Sequence, residues 1–529
     1  MASDFRNEPV LDFARDGQAR DAQKKALDEF VPVDCPLVIA GARLSTKSWI
    51  VSHNPNQPRR IVGRAAKASK TQAEKAIRTA YDSFPSWSKT APGARADILL
   101  RAADILRRRR YELNATMILE VGKSWTEADA DTAEAIDFCT FYAHEMLRLA
   151  QDQPLTPVKG ERNRLTYQPL GAGIVISPWN FPCAILTGMT TAALVTGNTV
   201  VLKPSSLAPV IGYKVVEALE EAGVPKGVLN FLPSSGGEIG DLLVDHPLTR
   251  FISFTGSREI GLRINERAAR VQPGQRWIKR TVIEMGGKDA VIVDEDADLE
   301  AAAAGIVASA FGYQGQKCSA CSRAILVEKV HDRVLDLVAQ KAKALKLGDV
   351  SDPTVQMGAV IDEKQMEKVL GYIKLGRREG RLVAGGQKVA GDAYLLEPTV
   401  FADVWPKGHV AREEIFGPVL SVFKVPDFDA AVQLANDSEY GLTGAYYGKA
   451  NLSRAAAEFY VGNLYLNRKC TGALVGAHPF GGFDVRTEAT AELRKGGLPA
   501  VPVLLERIDD PDAEIRSRVR DAIRSILTD

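Results

Sequence analysis

Short strand-forming runs alternate with helical runs from Gly171 onward, and this alternation restricts the fold more than any other feature of the sequence. Strands joined by helices lie parallel, and helices cover both faces of a parallel sheet. Such a sheet suits a nucleotide at the carboxyl ends of its strands. The pattern therefore predicts an α/β fold. The first block is predicted to contain strands 174–177, 199–203, 228–232, 251–254 and 282–284, and helices 208–222, 239–244 and 259–269.

A second α/β block is predicted from residue 290 to about residue 467. Residues 1–150 are predicted to be mostly helical, with Pro85 ending one of the helices. Asp129 and Asp131 are expected on a solvated helix face, and residues 155–168 are predicted to form a hairpin or connecting ribbon. The remaining predictions are helices 71–84, 94–106, 111–121, 125–149, 299–311, 330–345 and 430–435, and strands 290–293, 324–327 and 419–425.

The composition is that of a globular protein with two or three domains in 529 residues. A net charge of +1 favours neither nucleic acid nor an anionic membrane as a partner. No apolar run approaches membrane-spanning length, and the first residues have no signal-like apolar core. Six scattered cysteines indicate a reducing compartment. We therefore predict a cytoplasmic protein.

Cys318 lies in a loop of small and flexible residues, F-G-Y-Q-G-Q-K-C-S-A-C-S-R, at positions 311–323. Glycines allow a substrate carbon to approach the sulfur closely, and a thiolate is a strong nucleophile. Cys318 and Cys321 also permit half a zinc site, a dithiol redox pair or a buried structural cysteine. The other cysteines are single and no two histidines lie close together in sequence, so no metal is predicted.

Four segments that follow or end predicted strands are hard to explain by packing alone. They are P-W-N-F-P (178–182), V-L-K-P-S-S (201–206), F-T-G-S (254–257) and I-E-M-G-G-K (283–288). They supply an amide, a lysine, a helix start whose amides favour phosphate, and a carboxylate before two glycines. G-Q-K-C and E-E-I-F-G-P-V (413–419) follow them in order. Gly171-Ala172-Gly173 is not a G-x-G-x-x-G, so the usual dinucleotide fingerprint is absent.

In the order and spacing of these motifs, residues 35–483 resemble the aldehyde dehydrogenase superfamily. The motifs around Cys318, N-R-K-C-T-G-A-L-V-G (467–476) and H-P-F-G-G-F (478–483) resemble members that oxidise L-glutamate γ-semialdehyde in proline degradation. The resemblance implies a Rossmann-like NAD(P)-binding domain (1–285, with 151–168 as connecting ribbon) and an α/β catalytic domain (286–470). Residues 471–483 would anchor the substrate and return to the body, and residues 484–529 form a helical tail.

The chemistry implied for Cys318 begins with its addition to the aldehyde, because a bare carbonyl carbon does not readily release a hydride. The resulting thiohemiacetal passes a hydride to nicotinamide, and water hydrolyses the thioester that remains. The Asn180 amide and the Cys318 backbone N–H would stabilise the oxyanion, one such donor being worth about 3–4 kcal/mol. Glu284 would be the general base. A salt-bridged strand end for Glu284 and a turn cap for Asn180 are the alternatives.

The resemblance also implies a site for NAD. Lys203 and Glu414 would bind ribose hydroxyls, and Ser257 would meet the pyrophosphate; a solvated lysine is the alternative for Lys203. Ser206 stands where many NAD-preferring relatives have a glutamate that repels a 2′-phosphate, so NADP stays an alternative. The implied cofactor-binding residues are Trp179, Lys203, Ser206, Gly256, Ser257, Glu414 and Phe416.

A substrate with an α-carboxylate and an α-ammonium must have both groups paired in a buried site. The resemblance implies that Glu134 takes the ammonium, and that Phe181 and Phe480 flank the aliphatic stem. Ordinary core aromatic residues are the equal alternative for the two phenylalanines. The implied substrate-binding residues are Glu134, Phe181, Ser319, Gly472, Ala473 and Phe480.

The sequence departs from the family after Phe483, where a strand used in subunit pairing is usual. Two apolar helical stripes occur instead, separated by the turn D-D-P-D (509–512), and they resemble a HEAT-type repeat. A homo-oligomer is expected, with its assembly altered by this tail. Two alternatives to the glutamate semialdehyde function are a dehydrogenase for another carboxylated aldehyde and a non-catalytic scaffold that binds a partner through the tail.

Overall fold

Helices pack around three sheets in the computed structural model, which describes residues 5–478 and 480–482. The predicted helical tail, 484–529, lies outside the described residues. No helix in the described ranges is long and apolar enough to cross a membrane. The helices are α1 Gly17–Asp28, α2 Lys70–Trp87, α3 Pro92–Arg108, α4 Arg110–Val121, α5 Trp125–Leu149, α6 Ala184–Val195, α7 Pro209–Glu221, α8 Gly236–Asp245, α9 Arg258–Ala269, α10 Leu299–Phe311, α11 Glu328–Lys343, α12 Glu363–Glu379, α13 His409–Arg412, α14 Phe428–Asn436 and α15 Leu452–Glu458.

The strands confirm the predicted alternation with helices in both blocks. They are β1 Val33–Cys35, β2 Leu37–Ile39, β3 Ala42–Leu44, β4 Trp49–Asn54, β5 Gln57–Ala66, β6 Ala172–Ile176, β7 Thr199–Lys203, β8 Leu229–Phe231, β9 Phe251–Thr255, β10 Arg280–Glu284, β11 Asp289–Val293, β12 Cys321–Val327, β13 Arg381–Ala384, β14 Thr399–Ala402, β15 Val419–Val425, β16 Thr443–Tyr447 and β17 Asn463–Leu466.

The first large sheet has the strand order β10-β9-β6-β7-β8-β2-β3. Its first five strands are parallel, as predicted, whereas β2 and β3 add an antiparallel edge. Along β7, Val200 and Leu202 belong to one apolar cluster and Val201 to another. Side chains alternate between the two faces of a strand, so this sheet is buried on both faces.

The second large sheet has the order β13-β14-β15-β12-β11-β16-β17, and all its neighbours except β13 and β14 are parallel. Only residues 285–288 separate β10 of the first sheet from β11 of the second. A small third sheet contains β1, β5 and β4. The chain thus passes from one large sheet to the other directly after Glu284.

Three local predictions differ from the structure. Helix α2 continues through Pro85 to Trp87, because the buried Trp87 anchors its last turn by donating from Nε1 to the Leu194 carbonyl at 3.1 Å. Residues 33–66 form five strands within the region predicted to be mostly helical. Residues 155–168 form no hairpin in the described chain; they are exposed chain with one turn, which leaves the predicted alternative of a connecting ribbon.

The prediction that Asp129 and Asp131 lie on a solvated helix face is wrong, since both residues are fully buried on α5. Asp129 accepts hydrogen bonds from Arg110 at 2.6 Å and from the Leu11 N–H at 2.7 Å. Asp131 accepts the Ala184 N–H at 2.7 Å. Their partners come from other segments, and helical periodicity contains no information about them.

Candidate active site

The strand-end segments of the first sheet meet at one edge. Parallel pairing places Ile176 beside Lys203 and Phe254, and Glu284 beside Thr255. Because the carboxyl ends of parallel strands lie on the same side, the loop with Asn180, the Lys203 side chain, the start of α9 and Glu284 share this edge. The sheet therefore brings together four motifs that are spread over more than 100 residues of the sequence, from 178 to 284.

The loop before Cys318 has an uncommon backbone. Tyr313 and Gln314 have φ values of 51° and 58°, in the left-handed region that side chains disfavour. Buried hydrogen bonds hold this conformation: the Tyr313 hydroxyl donates to the Val121 carbonyl at 2.9 Å, and Gln314 Nε2 donates to the Gly122 carbonyl at 3.0 Å. The position of the Cys318 loop is therefore set by the turn between α4 and α5.

Cys318 is half-buried at the meeting point of the two large sheets, three residues before β12. Burial raises the pKa of the Cys318 thiol above its ordinary range, and the negative charges of Asp289, Glu284 and Glu414 raise it further. The thiol is thus protonated at neutral pH in the empty site. A base must remove that proton before the sulfur can attack an electrophile.

Asn180 is buried, and its amide Nδ2 donates to the Gln316 carbonyl at 3.1 Å. Gln316 is two residues before Cys318, and its own Oε1 accepts the Ile361 N–H at 2.9 Å. An amide group has two N–H bonds, so this hydrogen bond leaves one for another acceptor. Asn180 thereby lies beside the nucleophile loop with a donor available for an oxyanion.

The glycines after Glu284 allow two groups to lie against the chain. A Cβ on Gly286 would overlap the Glu414 carboxylate, and a Cβ on Gly287 would overlap the Cys318 carbonyl. The Gly287 N–H also donates to Glu414 Oε1 at 3.0 Å. Glu284 itself is half-buried, and its Oε1 would lie 3.5 Å from a Cβ on Gly481. Residues 286–287 therefore bring Glu284, Glu414 and Cys318 into one small volume.

The residues at this edge fit a dinucleotide. Lys203 is buried, so it is not a solvated lysine, and its Nζ donates to the Pro204 carbonyl at 3.2 Å. Burial lowers the pKa of Lys203 to about 8. An ammonium group has three donors, and two remain for ribose or phosphate oxygens. Ser206 is half-buried in the same loop.

The start of α9 and the segment with Phe416 complete this edge. Gly256 precedes α9, where a Cβ would lie 2.5 Å from the Phe254 ring, and Ser257 is the exposed N-cap residue without a side-chain cap bond. First-turn amides of such a helix suit phosphate. Phe416 has a φ of 59°, and its ring lies 5.5 Å from the Trp179 ring in an edge-on contact.

Glu134 lies on α5, one turn after Asp131, and is half-buried. Burial raises the pKa of Glu134 to about 8, and the neighbouring Asp131 adds to the rise. An incoming ammonium would restore its ionised form. Ser319 is nearly buried beside Cys318, and its carbonyl accepts hydrogen bonds from Thr443 and Cys470, each at 3.4 Å.

The remaining predicted substrate residues lie in different surroundings. Phe181 lies against Tyr313, with 6.5 Å between the ring centroids. Phe480 is 47% exposed, so it is not a core aromatic residue, and the described structure shows no ring contact between it and Phe181. Gly472 is exposed with a φ of 80°, and Ala473 is half-buried. The segment that holds them starts beside Ser319, at Cys470, and reaches Glu284 at Gly481.

Sequence reasoning missed a group of charged residues beside this segment. Lys317 pairs with Glu127 of α5 at 2.8 Å, and both side chains are largely buried. The Arg468 guanidinium donates to the Gly472 carbonyl at 2.9 Å, and Lys469 Nζ would lie 3.9 Å from a Cβ on Gly472. The basic residues directly before the cysteines in G-Q-K-C and N-R-K-C are the signal that could have revealed them.

A search of the described ranges finds no group of three or more His, Cys, Asp and Glu side chains that could hold a metal ion. Cys321, the second cysteine of the loop, is buried and its Sγ lies 3.5 Å from the Arg323 carbonyl.

Comparison with known proteins identifies the family. The sequence model of the aldehyde dehydrogenase family matches residues 43–485. The chain belongs to this family. A 1-pyrroline-5-carboxylate dehydrogenase of Geobacillus sp. (strain WCH70) is 55% identical over 92% of this aldehyde dehydrogenase and 95% of its own chain. The 1-pyrroline-5-carboxylate dehydrogenase 2 of Bacillus subtilis (strain 168) is 52% identical over the same shares, 92% and 95%.

Solved structures agree with this assignment of the fold. The structure of 1-pyrroline-5-carboxylate dehydrogenase from Thermus with bound NAD is 50% identical, with a TM-score of 0.89 over 91% of this aldehyde dehydrogenase and 95% of that chain. The predicted family and the predicted α/β fold with a Rossmann-like sheet are thus confirmed.

Proposed function

We propose that this aldehyde dehydrogenase oxidises L-glutamate γ-semialdehyde, the open form of 1-pyrroline-5-carboxylate, to L-glutamate with NAD. The observation that carries the proposal is the convergence of Cys318, Asn180 and Glu284 at one sheet edge, with Glu134 on the helix that holds the Asn180 loop. The names of the relatives at 55% and 52% identity support the same substrate.

The first step is covalent attack by Cys318. Glu284 takes the thiol proton, which the raised pKa of Cys318 otherwise retains. The thiolate then adds to the aldehyde carbon, and the second Asn180 N–H and the Cys318 backbone N–H hold the oxyanion. Donors in fixed positions stabilise this developing charge without reorganisation, at about 3–4 kcal/mol for one donor.

NAD, when bound, accepts the hydride that leaves the substrate carbon. Lys203 and Glu414 would hold its ribose hydroxyls, and Gly256 and Ser257 would meet the pyrophosphate at the start of α9. The rings of Trp179 and Phe416, which are in edge-on contact, would pack beside the nicotinamide ribose. Since Ser206 carries no negative charge to repel a 2′-phosphate, NADP is the alternative hydride acceptor.

Glu284 acts again when the thioester is hydrolysed. It first releases the thiol proton to solvent and then, as a general base, accepts a proton from a water molecule that attacks the thioester carbon. The carbon–sulfur bond breaks, which releases the carboxylate product and the Cys318 thiolate, and the thiolate is then reprotonated. The Gly286–Gly287 backbone lets Glu284 and Cys318 approach without intervening side chains.

Recognition of the substrate depends on its two charged ends. Glu134 binds the α-ammonium, whereas Ser319 and the backbone of Gly472 and Ala473 bind the α-carboxylate, with Phe181 and Phe480 along the stem. Lys317 and Lys469 add positive charge near the carboxylate end. An alkyl aldehyde leaves these polar groups unpaired and is a poor substrate.

The proposal includes domain roles, assembly and location. Residues 1–285 bind the cofactor and residues 286–470 carry the nucleophile. The protein is a cytoplasmic homo-oligomer, and exposed apolar residues near the edge strand β10 support assembly: Ile278 is 83% exposed and Val282 is 62% exposed.

The test is the formation of reduced nicotinamide from NAD and 1-pyrroline-5-carboxylate, followed by absorbance. We expect turnover by the native protein and none by Cys318→Ala, because the hydride leaves only from the adduct between the thiol and the aldehyde. A panel with alkyl aldehydes should show a clear preference for the amino-acid semialdehyde. Preference for an alkyl aldehyde would contradict the substrate assignment, and no turnover with NAD or NADP would favour a non-catalytic scaffold.

A further inference from the structure

Lys123 is a fully buried lysine whose side-chain amine has no hydrogen-bond partner in the described structure. It follows Gly122, which ends α4 in the left-handed conformation, and it precedes Ser124, the N-cap of α5. Burying an ammonium is costly, and a single carboxylate at ion-pair distance, Asp131, offsets that cost only in part.

The surroundings of Lys123 supply attraction but no hydrogen bond. Its Nζ lies 3.9 Å from the centre of the Phe181 ring and 4.3 Å from the centre of the Tyr313 ring. Asp131 Oδ2 is 3.4 Å away. The negative faces of aromatic rings attract an ammonium, and more strongly when it is desolvated. Burial lowers the pKa of Lys123, and the Asp131 and Glu127 carboxylates oppose that shift.

The two rings belong to the two loops that carry the reacting groups. Phe181 follows Asn180, and Tyr313 lies five residues before Cys318 in the same loop. Asp131 also holds the Asn180 side, because it accepts the N–H of Ala184 directly after that loop. The carbonyls of Val121 and Gly122 hold the Cys318 side through Tyr313 and Gln314.

We infer that Lys123 is a positioning residue: its amine, between the Phe181 and Tyr313 rings and beside Asp131, sets the spacing of the Asn180 loop against the Cys318 loop. This inference deepens the proposed function and rests on it for the catalytic consequence. Lys123 touches neither substrate nor cofactor in this role. It keeps the oxyanion donor and the nucleophile within reach of one carbonyl group, a geometry that tolerates little displacement.

The test compares Lys123→Met with Lys279→Met. Lys279 is a matched control, since it is also a buried lysine. It directly precedes β10, and its Nζ donates to the Val244 carbonyl at 2.6 Å, away from the two loops. Lys123→Met keeps the stem and removes the amine. We expect its kcat to fall about 10- to 100-fold with KM for NAD within about 2-fold, whereas Lys279→Met changes only the melting temperature. Lys123→Arg, which keeps the charge, should recover part of the kcat.

Two further measurements keep the inference falsifiable. Asn180→Ala should lower kcat about 100-fold in the otherwise native protein but less than about 10-fold in the Lys123→Met background. In that background the misplaced Asn180 amide already contributes little to stabilising the oxyanion. Amide hydrogen exchange should rise together in peptides 178–184 and 312–318 of Lys123→Met. Full additivity with Asn180→Ala, or unchanged exchange in both peptides, overturns the inference. Should the native protein fail to oxidise the semialdehyde, the proposed function fails and the exchange measurement still decides the role of Lys123.

Discussion

At the scale of single residues, the site depends on carboxyl groups held in unfavourable surroundings. Burial raises the pKa of Glu134 to about 8, and burial together with three neighbouring carboxylates holds the pKa of Cys318 above its ordinary range. An empty site is therefore mostly neutral at its nucleophile and at its proposed ammonium acceptor. Binding of the substrate's α-ammonium reverses the balance at Glu134, because an opposite charge favours the ionised carboxylate.

The pH dependence of KM tests Glu134. Its pKa is raised from 4.5 to about 8, so the carboxyl is protonated below that pH and ionised above it. KM for glutamate semialdehyde should fall several-fold between about pH 6.5 and 8.5 as the ammonium acceptor ionises. Steady-state kinetics of the native protein and of Glu134→Gln would measure this.

Glu134→Gln is also the control for the pH dependence of the substrate itself, because the ring–chain equilibrium of the substrate is the same in the assays of both proteins. Its KM should be higher and should lack the fall assigned to the carboxyl group. An aldehyde that has the carboxylate but no amine should show no fall with the native protein. Parallel pH profiles for the native protein and Glu134→Gln would rule out this role.

At the scale of elements, α4, α5 and the turn between them hold the Cys318 loop and the N-terminal segment in place. Arg110 of α4 and Asp129 of α5 form a buried pair with two contacts of 2.6 Å. Arg110 also donates to the Pro9 carbonyl at 2.7 Å, so the pair ties the N-terminal segment to both helices. The same helix pair supplies Val121 and Gly122 to the Cys318 loop.

Arg110→Met should destabilise the protein by about 3–5 kcal/mol, because it leaves the Asp129 carboxylate buried and without its cation. Arg381→Met is the control: the Arg381–Asp403 pair is more than half exposed, and such pairs contribute about 0–1 kcal/mol. Chemical denaturation of both variants measures the difference. Equal losses in the free energy of unfolding would mean that the buried pair contributes no more to stability than the exposed pair.

At the scale of the whole molecule, two large sheets meet where the chain passes from Glu284 to Asp289. The first sheet supplies Asn180, Lys203 and Glu284, whereas the second is entered through the Cys318 loop. Neither sheet contains the complete set of proposed catalytic groups. The reaction therefore requires the two sheets to keep a fixed mutual position.

Removal of the residues after Phe483 tests the role of the tail in assembly. If the tail replaces the pairing strand that family members use, a chain that ends at Phe483 should have a different mass by light scattering from the full chain. The physical reason is that an exposed strand edge and exposed apolar residues favour association, so removal of a segment that pairs subunits changes the mass. An unaltered mass would count against a role of the tail in assembly. Val282→Lys in the full chain tests the β10 edge separately.

Local patterns and motif spacing were sufficient to predict the α/β fold, the strand ends and the family, because parallel strands and their loops leave periodic and short-range signals. Helix α10 and strands β7 and β15 begin and end where the sequence predicts. Cys318, Asn180 and Glu284 were predicted as catalytic residues from their own segments, since each motif is contiguous, and these roles stay predictions.

Burial and long-range pairing were decided by the tertiary structure. Asp129 and Asp131 resemble solvated residues along the helix, yet Arg110, Leu11 and Ala184 bury them from other segments. The raised pKa of Glu134 and the position of Lys123 between two rings follow from packing of the same kind. No local pattern encodes these contacts, because each depends on residues that only the packed helices and sheets bring together.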